Sequence, residues 1–366
     1  MFLPLCLFAL TGCAHESAPF GSSQSNSDSR RVLVVYNSAS PQSEEIAKYY
    51  VLKRKIPGSN VVKLDCTKEE DVPTADYLSQ IQAPVQANLK SNKNQIDFIV
   101  LMKGVPIRLK EGMQYSVDAT LAAMELKFLP IQKLDDDNLK RCLNPYFTKT
   151  DPFTHERYGF YLVTRIDGYT TDDCKNLIDH SLAAKPDKGL FFFDQAANRN
   201  GQGSKEMNDA LSRANEVLGL KGYESRVDRY QPFVAPTEKL MGYVSWGSND
   251  DAFNLSTYKQ LKFKPGALAE TFVSTSARTF HPTVGGQSLI ADLIARGVTG
   301  IKGYVSEPYT FALAKPQLLF DRYTGGRNLA ESFYSASMFL KWKDVVIGDP
   351  LCAPYAKPAK AEADLK

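Results

Sequence analysis

Apolar and β-branched residues recur along this chain in short runs that each end in small or polar residues. Such runs cover 31–37, 61–64, 96–102, 158–165 and 189–194. Between them lie stretches with helical spacing at 43–54, 75–90 (interrupted by Pro84), 170–184 and 205–218. Continuous apolar runs bounded by turn residues predict buried strands. Their alternation with helices predicts right-handed crossovers and a parallel sheet. The stretch 239–355 holds four further runs, with helix-like patterns between the later ones. Three of these runs end in polar tips: Ser245 to Asp250, Ser274-Thr275-Ser276, and Ser306-Glu307. Parallel neighbouring strands would gather those tips on one sheet edge, where α/β proteins place their functional groups.

The pattern breaks at 111–157, which reads as a surface excursion covering one edge of that site, with exposed aromatics at Tyr146 and Phe153. The organisation is therefore an N-terminal apolar segment (1–12), a Ser-rich tether (13–30), a first α/β half (31–157), a second half with the site (158–356), and a charged tail (357–366). The fold class is α/β, with mostly parallel sheets flanked by helices in two linked halves.

Residues 1–10 are nearly all apolar and too short to span a bilayer as a helix. They lead into Leu10-Thr11-Gly12-Cys13, which is similar to a bacterial lipoprotein signal, although no Lys or Arg precedes the apolar run. Lipidation at Cys13 would anchor the chain in the cell envelope, with the outer membrane favoured because Ala14 offers no inner-membrane retention signal. Export leaves Cys66, Cys142, Cys174 and Cys352 in an oxidising space. Two disulfides in any of three pairings would be allowed, with Cys142 and Cys174 the first pair to test. No C-x-x-C spacing points to zinc.

Composition narrows the function. The chain has 366 residues, 43% of them hydrophobic and 23% charged, which provides for a large core. A net charge of +3 without a basic run gives no argument for nucleic acid. The 18 Tyr and 20 Phe fill a core first, and they also suit a surface that meets peptides or sugars. No motif asks for a cofactor. Asp135-Asp136-Asp137 reads as a solvated loop rather than a metal site, since binding-loop oxygen spacing is missing. Gly201-Gln202-Gly203-Ser204 lacks the G-K-[ST] of a phosphate loop, so Ser204 is expected to cap the next helix.

At the strand tips, Ser276 is a candidate nucleophile, with His281 as its base and Asp250 to orient that base. The plainer reading is a strand-end Ser capping a helix from Gly286 and a loop His in water. Asp250 and Glu307 form a second candidate, a carboxylate pair for glycoside cleavage. Glu307 could equally cap the helix that follows Tyr309, and Asn249-Asp250-Asp251 could hold calcium. Trp246, Ser248, Asn249 and Ser274 are the candidate ligand-binding residues.

The ordered segments V-V-Y-N-S, I-V-L-M-K-G-V-P-I-R, R-I-D-G, Y-V-S-W-G-S-N-D, P-G-A-L-A-E-T-F-V-S-T-S-A-R-T-F, G-V-T-G-I-K-G-Y-V-S-E-P and V-I-G-D-P-L-C-A-P-Y resemble an uncharacterised exported bacterial family. That family occurs alongside PEP-CTERM/exosortase sorting systems, and the resemblance spans about 32–355. More distantly the layout is similar to gingipain-type cysteine peptidases of caspase-like fold, which end in a comparable G-D-P segment. The gingipain resemblance implies a His-Gly at one strand end and a nucleophilic Cys at a later one. This chain has Trp246-Gly247 and Ser276 at those places, so it departs from the peptidase pattern. The two resemblances together imply a non-peptidase relative at the envelope that binds a peptide or glycan, with sorting or exopolysaccharide-export proteins as partners. The alternative is an active hydrolase: a peptidase or esterase using Ser276, or a glycosidase using Asp250 and Glu307.

Overall fold

The computed structural model describes residues 28–127, 135–229 and 232–357. Cys13, the N-terminal apolar segment and nearly all of the tether and tail lie outside these residues. None of the described helices is long and apolar enough to cross a membrane.

Among the described residues twelve strands form: β1 Val32–Asn37, β2 Val61–Leu64, β3 Asp71–Val72, β4 Phe98–Met102, β5 Arg108–Leu109, β6 Leu162–Ile166, β7 Phe191–Asp194, β8 Ser225–Asp228, β9 Leu240–Ser245, β10 Phe263–Thr271, β11 Gly300–Tyr304 and β12 Asp344–Ile347. Ten of them build one sheet in the order β2-β1-β4-β6-β12-β11-β10-β9-β7-β8, while β3 and β5 pair separately. The ladders β2-β1-β4-β6 and β11-β10-β9-β7-β8 are parallel, and β12 runs antiparallel to β11. The central strands β4 and β9 are buried at every residue, as continuous apolar runs with helices on both faces require.

The helices used below are α1 Pro41–Arg54, α2 Ala83–Ser91, α3 Val117–Ala122, α4 Thr171–Ala183, α5 Gln202–Leu220, α6 Ile290–Ile294, α7 Pro316–Thr324 and α8 Leu329–Ala336. Local sequence sets their ends. Ser40 caps α1 with Pro41 in its first turn, and Thr170 and Asp173 close a capping box on α4. The irregularity expected around Pro84 appears as a π-helical stretch, Tyr77–Gln82, leading into α2. Two cap expectations fail. The N-cap of α5 is Gly201 with no side-chain bond, so Ser204 lies inside the helix. The helix expected from Gly286 starts only at Ile290, after the chain has closed a loop through Gln287 and Ser288.

Only one bridge, Ile347 with Arg165, joins β12 to β6 in the middle of the sheet. The Tyr334 hydroxyl of α8 covers the gap: it donates to Val163 O and accepts from Val163 N, both at 2.9 Å. Arg165 is fully buried there. Its guanidinium grips Asp118 at 2.7 Å, Asp167 at 3.3 Å, and the carbonyls of Val105 and Pro106 at 2.9 Å. Strand β6 pairs along its whole length with β4.

The excursion at 111–157 touches the tip edge at one end, where Gln114 O accepts from Ser306 Oγ at 3.0 Å. Tyr146 and Phe153 are fully buried in an aromatic cluster with Tyr158 and Phe160. His155 N donates to Asp97 just before β4, at the edge where strands begin. Asp135 caps the short helix Asp136–Lys140. Trp342 packs on Tyr115, Phe311 and Phe339. Cys66, Cys142, Cys174 and Cys352 are all free buried thiols, so the Cys142–Cys174 pairing does not form. Burial pushes Cys66 up to about 12 and Cys142 up to about 11, which keeps both protonated and unreactive.

Candidate functional site

Loops from both halves meet at one sheet edge. Phe280 N, beyond β10, donates to Glu70 Oε1 at 2.6 Å, and Arg108 Nη1 donates to Val305 O, beyond β11, at 2.7 Å. Strand order reverses twice along this edge: β1 lies between β2 and β4, and β7 between β8 and β9. In parallel α/β sheets ligands bind in the crevices outside such switch points. A cavity opens at the first, and another opens beside the second, beyond β7 and β8.

The first cavity, about 310 Å³, lies beyond β1 and β4 and is lined by Glu70, Lys103, Asp167 and His281 among others. Gly104 makes its floor possible: at φ +92° it passes so close to Ser40 that a Cβ would sit 2.7 Å from that hydroxyl. Lys103 Nζ donates to Asp167 Oδ1 at 3.1 Å and to Gly168 O at 2.7 Å. His281 Nε2 lies 3.9 Å from Glu70 Oε1.

The second cavity, about 380 Å³, lies beyond β7 and β8 and is lined by Gln195, Arg199, Lys205, Asn208, Ser212 and Arg229 among others. The Trp246 loop stands behind this lining as a back wall. Trp246 is 3% exposed, its indole N–H donates to Asn208 Oδ1 at 2.7 Å, and the Arg199 guanidinium lies over its ring. Gly247 follows at φ +48°, wedged against Val273 and Ser288. Beneath the loop, Asp194 ends β7. Burial first, then Asp250 and Asp228, push its carboxyl up to about 8. Two further cavities, about 350 and 400 Å³, open elsewhere, lined by residues such as Lys262 and Lys264 from around the start of β10.

The structure scatters the residues singled out from sequence. Ser276 is fully buried, and its hydroxyl accepts from Tyr304 N at 3.3 Å. His281 faces Glu70 across the first cavity, while Asp250 accepts from Ala252 N at 2.9 Å. Glu307, exposed, accepts from Tyr309 N at 2.8 Å, so it caps its own turn. Ser248 and Ser288 bond reciprocally, and Asn249 ties Phe272 O, Gln287 and Arg199 together. These polar side chains build the loop that walls the cavity. Ser274 is half-buried at the same tip. No cluster of three His, Cys, Asp or Glu that could hold a metal occurs among the described residues. Sequence reading missed Arg199, Lys205 and Arg229, and also Glu70, Lys103 and Asp167. The only sequence signal for them was that Lys103 and Asp167 directly follow predicted strands.

The architecture is that of gingipain and caspase-like proteins, with a large, mostly parallel sheet flanked by helices. The chain is similar to the complex of Porphyromonas gingivalis RgpB pro- and mature domains, with a TM-score of 0.54 and 13% identity over 88% of this chain and 79% of that one. A structure described as a protease aligns with a TM-score of 0.49 and 12% identity over 88% of this chain and 78% of that one. No family model and no curated protein sequence matches the chain.

Proposed function

We propose that this chain is a non-peptidase relative of gingipain-like peptidases. It is anchored in the cell envelope through Cys13, holds a peptide or glycan at the strand-tip edge, and works alongside sorting or exopolysaccharide-export proteins. The observation that carries this reading is the state of Ser276. A nucleophile must reach substrate and pass its proton to a base. Ser276 is 0% exposed and spends its hydroxyl on a backbone N–H, and Trp246, where the peptidase pattern has His, bonds Asn208. The two strand-tip cavities, meanwhile, lie within the size range of small-ligand sites.

Ser276→Ala gives the test. It removes the acceptor for the buried Tyr304 N–H, so chemical denaturation should show a loss of about 1–3 kcal/mol. Binding to a peptide or glycan array, normalised to folded protein, should stay unchanged. Loss of array binding by this folded variant would count against a purely structural Ser276.

A further inference from the structure

We infer that the second cavity is an anion site that takes a carboxylate side chain of an acidic peptide. The inference deepens the binding reading above and rests on it. Arg199, Lys205 and Arg229 line the cavity against a single carboxylate, Asp209. Lys205 and Asp209 pair at 2.8 Å one helical turn apart, which leaves the two arginines as the uncompensated charge.

Their geometry is prepared. Arg199 is half-buried and donates through Nε to Asn249 O while its guanidinium lies 5.6 Å from the Trp246 ring centroid. Arg229 is exposed and donates through Nε to Gln195 Oε1 at 3.2 Å, and through Nη2 to Ser212 Oγ at 3.3 Å. A guanidinium held by its Nε keeps a rigid orientation, and its terminal N–H groups match the two oxygens of a carboxylate. The two guanidinium groups line one cavity in which Asp209 is the sole carboxylate of the lining, while Asp194, Asp228 and Asp250 lie beneath it, so an entering anion meets the arginines first. Among the neutral lining residues, Gln195, Asn208 and Ser212 bond one another and the two arginines, which holds the guanidinium groups in place for an incoming carboxylate. Asn208 also ties the cavity to the wall. Its amide donates to Ala196 O and Arg199 O, and its oxygen accepts from Trp246.

The chain has only two tryptophans, and Trp246 contacts the lining residues Arg199 and Asn208, so its fluorescence is used as the probe of occupancy. The full-length protein is titrated with an acetylated hexaglutamate peptide, its hexaglutamine counterpart, and an oligogalacturonate of similar length. The expected result is saturable quenching by hexaglutamate alone, weakened by added salt. Arg229→Gln and Lys205→Gln each reduce its affinity by about tenfold. Both side chains are exposed, so the fold should survive, and Lys90→Gln on α2 serves as a distant charge control. Equal binding of hexaglutamine, or hexaglutamate binding unmoved by Arg229→Gln, overturns the inference. The broader binding reading would survive that result if hexaglutamine or another array ligand binds elsewhere. Tighter, Arg229-dependent binding of oligogalacturonate overturns the peptide assignment in favour of an acidic glycan. No binding by any of the three overturns the site.

Discussion

Replacing Arg165 with alanine is expected to cost about 3–5 kcal/mol of folding stability, a large share of the roughly 5–15 kcal/mol of a typical domain. The guanidinium is fully buried, bonds Asp118 at 2.7 Å and Asp167 at 3.3 Å, and holds two carbonyls of the 105–106 turn. Without it, Asp118 is left charged in the interior, where desolvation already pushes its carboxyl up despite the arginine. Asp167 would keep Lys103 and so lose less. Urea denaturation checks this, and a loss below about 1 kcal/mol would contradict the buried-pair account. The double variant Arg165→Met with Asp118→Leu should recover much of the loss, because it removes both charges and refills the space. The consequence reaches the site as well, since Arg165 orients Asp167, which holds Lys103 in the first cavity.

Stability should also fall steadily as pH rises from about 5 to 8, and Glu270→Gln should remove roughly half of that slope. Glu270 is the last residue but one of β10 and has no exposure, and its Oε1 accepts from the Tyr304 hydroxyl at 2.6 Å. Its second oxygen has no partner. Burial raises its pKa from 4.5 to about 8, against the pull of nearby Lys302. The folded state therefore keeps a proton that the unfolded chain releases above about 4.5. The stabilisation linked to that proton is complete below the unfolded pKa and is lost as pH climbs through the folded one, at about 1.4 kcal/mol per unit. Asp194, also raised to about 8, adds a second contribution of the same sign. Denaturation midpoints measured from pH 5 to 9 should show Glu270→Gln close to wild type at pH 5 and more stable at pH 9. A wild-type curve flat across that range would contradict the assignment.

The sequence made the strands of the sheet largely legible because their apolar runs are continuous, and β9, β10 and β11 end in the polar tips that their composition announced. Other features depended on distant partners. Strand β8 (Ser-Arg-Val-Asp) is a half-polar edge strand whose pairing is supplied by β7, so no local pattern marked it. Tyr146 and Phe153 read as exposed because their loop is polar, yet Asn144 pins that loop to the carbonyls of Tyr334 and Ser337 nearly two hundred residues away. The tip residues hold their loop together: Ser248 and Asn249 bond Ser288, Gln287 and Phe272 of neighbouring segments, and Asp250 accepts from Ala252 N in its own loop, a matter of tertiary geometry that no spacing rule reveals. Arg199 and Arg229 come together only because β7 and β8 are neighbours, with α5 crossing between them.

The most direct test of the central claim is digestion of a diverse peptide library by the full-length protein beside its Ser276→Ala variant, read by mass spectrometry. A buried Ser276 and a Trp246 bonded to Asn208 predict no cleavage above background from either protein. Cleavage by the wild type that vanishes in Ser276→Ala would make this a serine-type hydrolase on a gingipain-like fold, and would contradict the account.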